Sequence, residues 1–132
     1  MMTTFSVQTK SHEELVDITP QIHKALQESG IADGICVIYT PHTTAAITIN
    51  ENADPDVQRD LIKGLRHLKM EAVDFAHMEG NSPAHVKSTL TGCSETVIVD
   101  GGRLVLGTWQ GIYFCEFDGP RTRKVHVKVL AG

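Results

Sequence analysis

The chain has 132 residues, 41% hydrophobic and 21% charged, with a formal net charge of −4 and three cysteines. A single domain of this length buries about two-thirds of its unfolded surface, so neither a disulfide nor a metal is needed merely to fold. The acidic balance argues against a nucleic-acid partner, because no basic stripe is available to displace phosphate counterions. No apolar run approaches the roughly 20 residues of a membrane span, and Met1 to Val7 lacks the charged-then-apolar layout of a signal peptide. Cys36, Cys93 and Cys115 are odd in number and show no Cys-x-x-Cys spacing, so they read as small reduced core residues of a cytoplasmic protein.

In chain order, Thr3 to Thr9 alternates around Phe5 and Val7 as a strand, and Leu15 to Ile18 is a second short extended run. Thr19-Pro20 gives a cap-then-proline helix start, with Ile22, Ala25 and Leu26 on one face and Gly30 as the left-handed stop. Gly34 to Tyr39 is continuously apolar and predicts a strand covered on both faces. Pro41 cannot donate to a ladder, ends that strand, and exposes His42. Thr44 to Asn50 is the next strand. Asp54-Pro55 repeats the cap-then-proline signal before Val57, Leu61, Ile62 and Leu65. Glu71 to Gly80 lacks a period and reads as loop. Ser82-Pro83 is a third such start, with Val86 and Leu90 one turn apart before Gly92. The remainder alternates strand and turn: Thr96 to Val99, Leu104 to Leu106, Ile112 to Phe117, the Asp118-Gly119-Pro120 turn, and Val125 to Leu130 with its valines on one dry face. This order predicts one α+β domain with about three short helices and a largely antiparallel sheet.

Seven histidines are present, and three lie in unusual places. His42 follows a strand-breaking proline. His85 falls in the first turn of a helix, where the dipole disfavours a cation and favours the neutral, metal-binding imidazole. His77 lies eight residues before it. Three neutral imidazoles and a water form a common zinc arrangement, but the spacing matches no zinc motif, and surface or hydrogen-bonded structural histidines are the plainer reading. Asp54 is best read as a helix cap, whereas Glu51 suits a turn residue or a general base equally. Trp109, bracketed by Gly107 and Gly111, is a stacking platform, an interface anchor or a core plug whose neighbour Gln110 satisfies backbone groups. Arg121 and Arg123 follow a Gly-Pro turn and suit a phosphate. The helix start at Ser82 offers further amides to an anion. The plain alternative is a Glu116–Arg123 ion pair, worth under about 1 kcal/mol if exposed.

The blocks His42-Thr43-Thr44-Ala45 with Asn50-Glu51 and Asp54, Gly80-Asn81-Ser82 with Ala84-His85, and Gly107 to Ile112 with Glu116 and Pro120-Arg121 together resemble the secondary thiamine-phosphate synthase family, the YjbQ-like proteins. The resemblance covers nearly the whole chain. It implies an α+β homotrimer with a histidine-lined pocket near a subunit boundary and a divalent metal on His42, His77 and His85. Zinc suits imidazoles, while magnesium is more usual for a reaction that releases pyrophosphate. His42 and Glu51 are then the expected catalytic residues, and Trp109, Gln110, Arg121, Asn81 and Ser82 the expected contacts to a small phosphorylated metabolite. The reaction implied joins a pyrimidine diphosphate to a thiazole phosphate, giving thiamine phosphate and pyrophosphate, as a secondary activity. A metal-dependent hydrolase and a non-catalytic trimer that binds a metal or a phosphometabolite are the alternatives. Phe75 and Pro83 depart from the family pattern, at positions where a tyrosine and, in one branch, an acidic residue are commoner.

Overall fold

The computed structural model describes residues 1–132, the side chain of Glu71 excepted. Its elements are β1 (Met2–Gln8), β2 (Glu14–Asp17), α1 (Thr19–Ser29), β3 (Gly34–Tyr39), β4 (Ala45–Glu51), α2 (Pro55–Arg66), α3 (Ser82–Thr91), β5 (Ser94–Asp100), β6 (Arg103–Leu104), β7 (Gln110–Glu116) and β8 (Thr122–Ala131). A single 3-10 turn, Met70–Ala72, interrupts the segment between α2 and α3. The strands form a five-stranded sheet, β1-β8-β3-β5-β6, and a three-stranded sheet, β2-β7-β4, with antiparallel pairings throughout. The α+β expectation holds.

Alternation along each strand decides the layering. Val125 and Val127 face inward from β8, with Cys36 and Ile38 of β3 beside them, and meet Ala45, Ile47, Ile112 and Phe114 of the three-stranded sheet. Ile22, Ala25 and Leu26 of α1 join this core. The other face of the three-stranded sheet, Ala46 and Cys115, lies under Ile62 of α2 and Ala84 of α3, with Phe117 filling the seam. Burying one such Ile or Phe side chain stabilises the fold by about 1.5–3 kcal/mol.

Three expectations change. The strand Gly34–Tyr39 is paired on both edges but covered on one face only: Ile35 and Tyr39 are 40% and 41% exposed, beside Ile98 at 61% and Leu130 at 41%. Among the cap-then-proline signals, only Asp54 caps, its Oδ1 accepting from Asp56 N–H at 2.9 Å. The other two helices start at Ile18 and Asn81 with no side-chain cap, and the Thr19 hydroxyl is occupied by the Ile112 N–H instead, at 2.8 Å. In α3 the buried face is Ala84, Lys87 and Ser88, whereas Leu90 is 63% exposed. Small residues at 84 and 88 let α3 approach β4, where Ser88 Oγ donates to the Ala45 carbonyl at 2.6 Å.

One buried ion pair ties the two sheets. Arg123 of β8 and Glu116 of β7 are 2% and 0% exposed, joined by Nε–Oε1 at 2.9 Å and by an Nη2–Oε2 contact. Arg123 also donates to Thr44 Oγ1 at 2.9 Å, and Thr9 Oγ1 donates to Glu116 at 2.7 Å. The Glu116–Arg123 pair offered as the plain alternative is present, and it is fully enclosed rather than exposed.

Candidate functional site

His42 is placed by the segment that follows β3. Thr40, 1% exposed, bonds the Cys93 carbonyl through its N–H at 2.9 Å and the Lys124 carbonyl through its hydroxyl at 3.1 Å. This anchor sets His42 against β8, where its Nε2 accepts the Lys124 N–H at 2.9 Å. An amide can donate only to an unprotonated nitrogen, so neutral His42 carries its proton on Nδ1. Burial and the positive charge of Arg123, helped by Arg121 and Lys124, outweigh the attraction of Glu116 and hold His42 below its ordinary 6.5. The neutral ring is thereby favoured.

His42 and His85 line one cavity of about 530 Å³, together with Tyr39, Thr43, Ser88 and Cys93. His77 sits against His85 with ring centroids 5.5 Å apart at 81°. Two imidazoles at tetrahedral positions on one zinc, with bonds of 2.0–2.1 Å, have centroids about 5 Å apart, a spacing close to that of this edge-on pair. The set of three fits less well. Nε2 of His42 is committed to the Lys124 amide and Nδ1 holds the proton, leaving no lone pair for a metal. Among the described residues, no three His, Cys, Asp or Glu side chains are grouped as a metal site.

The remaining expected residues fall in two other places. Glu51 and Gln110 pair across β4 and β7 at the end remote from His42. Ala45 to Glu51 spans about 20 Å of strand, so within one chain Glu51 cannot act on the histidine cavity. Trp109, 63% exposed, is no core plug. Gln110 Oε1 accepts the Gly107 N–H at 2.7 Å and closes the loop, the backbone-satisfying role. The Glu51 carbonyl accepts from Gln58 Nε2 at 3.2 Å.

Asn81, at the start of α3, lines a second cavity of about 530 Å³ with His12, Glu13, Arg66, Glu79, Lys87 and Asp118. Its Nδ2 donates to Glu79 and Asp118, both at 2.8 Å. Its Oδ1 is buried without a partner, a condition that costs about 1–3 kcal/mol. The α3 start is a poorer anion site than expected. The Ala84 and His85 amides both bond the Asn81 carbonyl, and Pro83 has no N–H, which leaves Ser82. Arg121 pairs with Asp118 at 3.3 Å and stays half exposed. Glu13 joins Arg66 and Lys87, each at 2.7 Å, with the Glu13 and Lys87 side chains only 5% and 4% exposed. Burial pushes the Glu13 carboxyl up, but the bonds from Arg66 and Lys87 outweigh it and hold the group below its ordinary value.

Sequence reasoning passed over Lys87, Glu13 and Arg66. The available signal was the Ala84, Lys87, Ser88 spacing, in which two small residues mark the buried face and place the lysine on it. Cys93 was read as core and is exposed, while Cys36 and Cys115 are buried as expected.

The fold and cavities define a small two-sheet α+β protein with a neutral-histidine pocket on one side of α3 and a charged cavity on the other. The family model described as UPF0047 protein YjbQ-like matches residues 3–132, and the chain belongs to that family. It is 57% identical to a UPF0047 protein of Methanocaldococcus jannaschii, over 98% of this chain and 94% of that one. It is 53% identical to UPF0047 protein YugU of Bacillus subtilis, over 98% and 99%. A crystal structure of an uncharacterised YjbQ/UPF0047 protein from Clostridium acetobutylicum superposes with a TM-score of 0.94 at 52% identity, covering 97% of this chain and 99% of that one. A YbjQ-like protein of unknown function from Sulfolobus solfataricus gives 0.95 at 35% identity, covering 100% and 97%. No helix is long and apolar enough to cross a membrane among the described residues.

Proposed function

We propose that the protein is an enzyme acting on a phosphorylated small molecule in the cavity between His42 and His85. The observation that carries this reading is the state of His42: a neutral imidazole, its Nε2 locked to a backbone amide and its Nδ1–H without a partner among the described residues, on the wall of an open cavity. Such a group polarises a substrate oxygen through a fixed hydrogen bond and does not serve as base or metal ligand. His85, beside it, is then the acid–base group. Arg121 is near enough for its charge to depress the His42 pKa, and its exposed guanidinium suits a phosphate. The divalent ion expected on three histidines has no part in this reading, since His42 has no free lone pair and a zinc on His85 would take the nitrogen that the acid–base role needs.

The condensation of a pyrimidine diphosphate with a thiazole phosphate is one reaction of this class. Zinc-free and zinc-loaded protein, incubated with that pair and with a panel of phosphate esters, is followed by phosphorus NMR. Turnover by the wild type, slowed about a hundredfold or more in His85→Asn, is the expected result. Tight binding without turnover of any substrate, with or without zinc or magnesium, overturns the enzyme reading in favour of a phosphometabolite-binding protein.

A homotrimer accords with the open face of the five-stranded sheet. Ile35, Tyr39, Ile98 and Leu130 present an apolar surface there, and Tyr39 also lines the histidine cavity. A copy seated on that face lies at the rim of the cavity and brings a route by which Glu51 and Trp109 act from a neighbour. Mixed oligomers of His85→Asn and Glu51→Gln chains regain activity if the site is shared. Monomeric sedimentation of the wild type removes this part of the reading.

A further inference from the structure

We infer that the charged cavity on the opposite side of α3 binds a small zwitterion, with its acidic group held by Arg66 and Lys87 and its primary ammonium held by Glu79, Asp118 and Asn81. The cavity is separate from the histidine pocket, and the inference is independent of the function proposed for it. Two sets of groups, one cationic and one acidic, line the space of about 530 Å³.

On one side stand cations with unused protons. Lys87 is 3% exposed, yet of its three N–H bonds a single one is accounted for, to Glu13 Oε2 at 2.7 Å. Arg66 uses Nε for Glu13 Oε1 at 2.7 Å, and its side chain lines the cavity while 57% exposed. Glu13 spreads one negative charge over two cations, so this side keeps a net positive charge. A phosphate or carboxylate supplies the acceptors that two cations so placed lack. On the other side stand acceptors. Glu79 and Asp118 converge on the Asn81 Nδ2, which brings two carboxylates together around one amide group. Arg121 offsets only Asp118. Asn81 Oδ1 is the buried side-chain N or O atom left without a partner among the described residues. An ammonium group with three N–H donors satisfies a carboxylate pair and an orphan amide oxygen together, which a simple metal-free anion cannot do. A purely structural ion-pair network would close on itself; this one leaves donors free at one end and acceptors at the other.

The test uses O-phosphoethanolamine and β-alanine as probes, with ethanolamine, inorganic phosphate and acetate as the corresponding halves, by isothermal titration calorimetry on the full chain. At least one zwitterion is expected to bind about tenfold or more tighter than either of its halves. Which zwitterion binds distinguishes a phosphate from a carboxylate ligand. Arg66→Gln and Glu79→Gln, both at exposed positions and checked for unchanged melting, are each expected to weaken that zwitterion about tenfold. The Asn81 side-chain NH2 resonances are expected to shift on titration. Failure of both zwitterions to bind, inorganic phosphate or acetate binding as tightly as its zwitterion, indifference of affinity to both substitutions, or an unmoved Asn81 side chain overturns the inference.

Discussion

Replacing Arg123 with Met separates a buried clamp from a surface contact. The substitution keeps the unbranched stem and removes the guanidinium that bonds Glu116 twice and Thr44 at its hydroxyl. Glu116, 0% exposed, would keep the Thr9 hydroxyl at 2.7 Å and the Asp118 N–H at 3.0 Å but lose its countercharge. Leaving one partner of such a pair uncompensated costs about 3–5 kcal/mol, a large share of the roughly 5–15 kcal/mol that holds a domain folded. At about 3–5 °C per kcal/mol for a chain of this size, the melting temperature should fall by roughly 10–25 °C at pH 7. The pH dependence follows from Glu116. Burial pushes its carboxyl up, but the bonds from Arg123, Asp118 N–H and Thr9 outweigh burial and lower it from the ordinary 4.5. A lowered carboxylate contributes stability that is present above 4.5 and lost as pH falls through the folded value. Without Arg123 burial dominates, the carboxyl rises, and protonation relieves the variant. The gap between wild type and variant should therefore narrow from pH 7 to pH 4. Urea melts at both pH values measure it, and Glu116→Gln/Arg123→Met should recover more than half of the single-variant loss. A single-variant loss below about 1 kcal/mol, the value of an exposed pair, refutes the clamp.

Long-range nitrogen–proton NMR at pH 7.5 should find His42 neutral and protonated on Nδ1; a proton on Nε2 refutes the assignment that removes His42 from any metal shell. Because its folded pKa lies below 6.5, His42 should make stability decline as pH falls below that value, and His42→Gln should flatten that slope. Gly34→Ala should be severely destabilising, by about 3 kcal/mol or more, since the added Cβ would lie 1.8 Å from the Leu130 carbonyl oxygen at a backbone φ of 155°; a melting temperature within a few degrees of wild type counts against the β3–β8 register. Ellman's reagent should modify Cys93 rapidly and the other two thiols only on unfolding, since burial raises Cys36 to about 11, and burial with the Glu95 charge raises Cys115 to about 12; more than one fast thiol per chain contradicts this.

The sequence was most legible where one local signal governs. Alternation of Val125, Val127 and Val129 against Lys124, His126 and Lys128 placed β8 and its dry face, and Gly30, at φ 67°, ends α1 as read. It was least legible where a distant partner decides. Lys87 looks like a solvated helix residue until Glu13, seventy-four positions away, is brought beside it. Leu90 looks like core because helical spacing shows which residues share a face, not which face meets the sheet. His42 was found by its strand-breaking proline, but the role of each ring nitrogen depends on an amide eighty-two residues on. Glu51 reads equally as turn residue or general base in the sequence, and an extended strand carries it to the end of the sheet remote from His42.

The same distant partners explain why so many charges are enclosed in so small a protein. Replacing a buried ion pair with apolar residues is often neutral or stabilising, so stability alone gives no reason for Glu116–Arg123 and Glu13–Lys87. Their placement does. Arg123 holds the Thr44 carbonyl and hydroxyl, fixing the wall beside Thr43 and His42, and its charge keeps His42 neutral. Thr9, bonded to Glu116, also accepts the Arg121 N–H at 2.9 Å and thereby sets the turn that carries Arg121 and Asp118. Glu13 and Lys87 do the same for the second cavity, while His85, two residues from Lys87, faces the first. One helix thus forms a wall of both cavities, and each is backed by an ion pair that positions its polar lining.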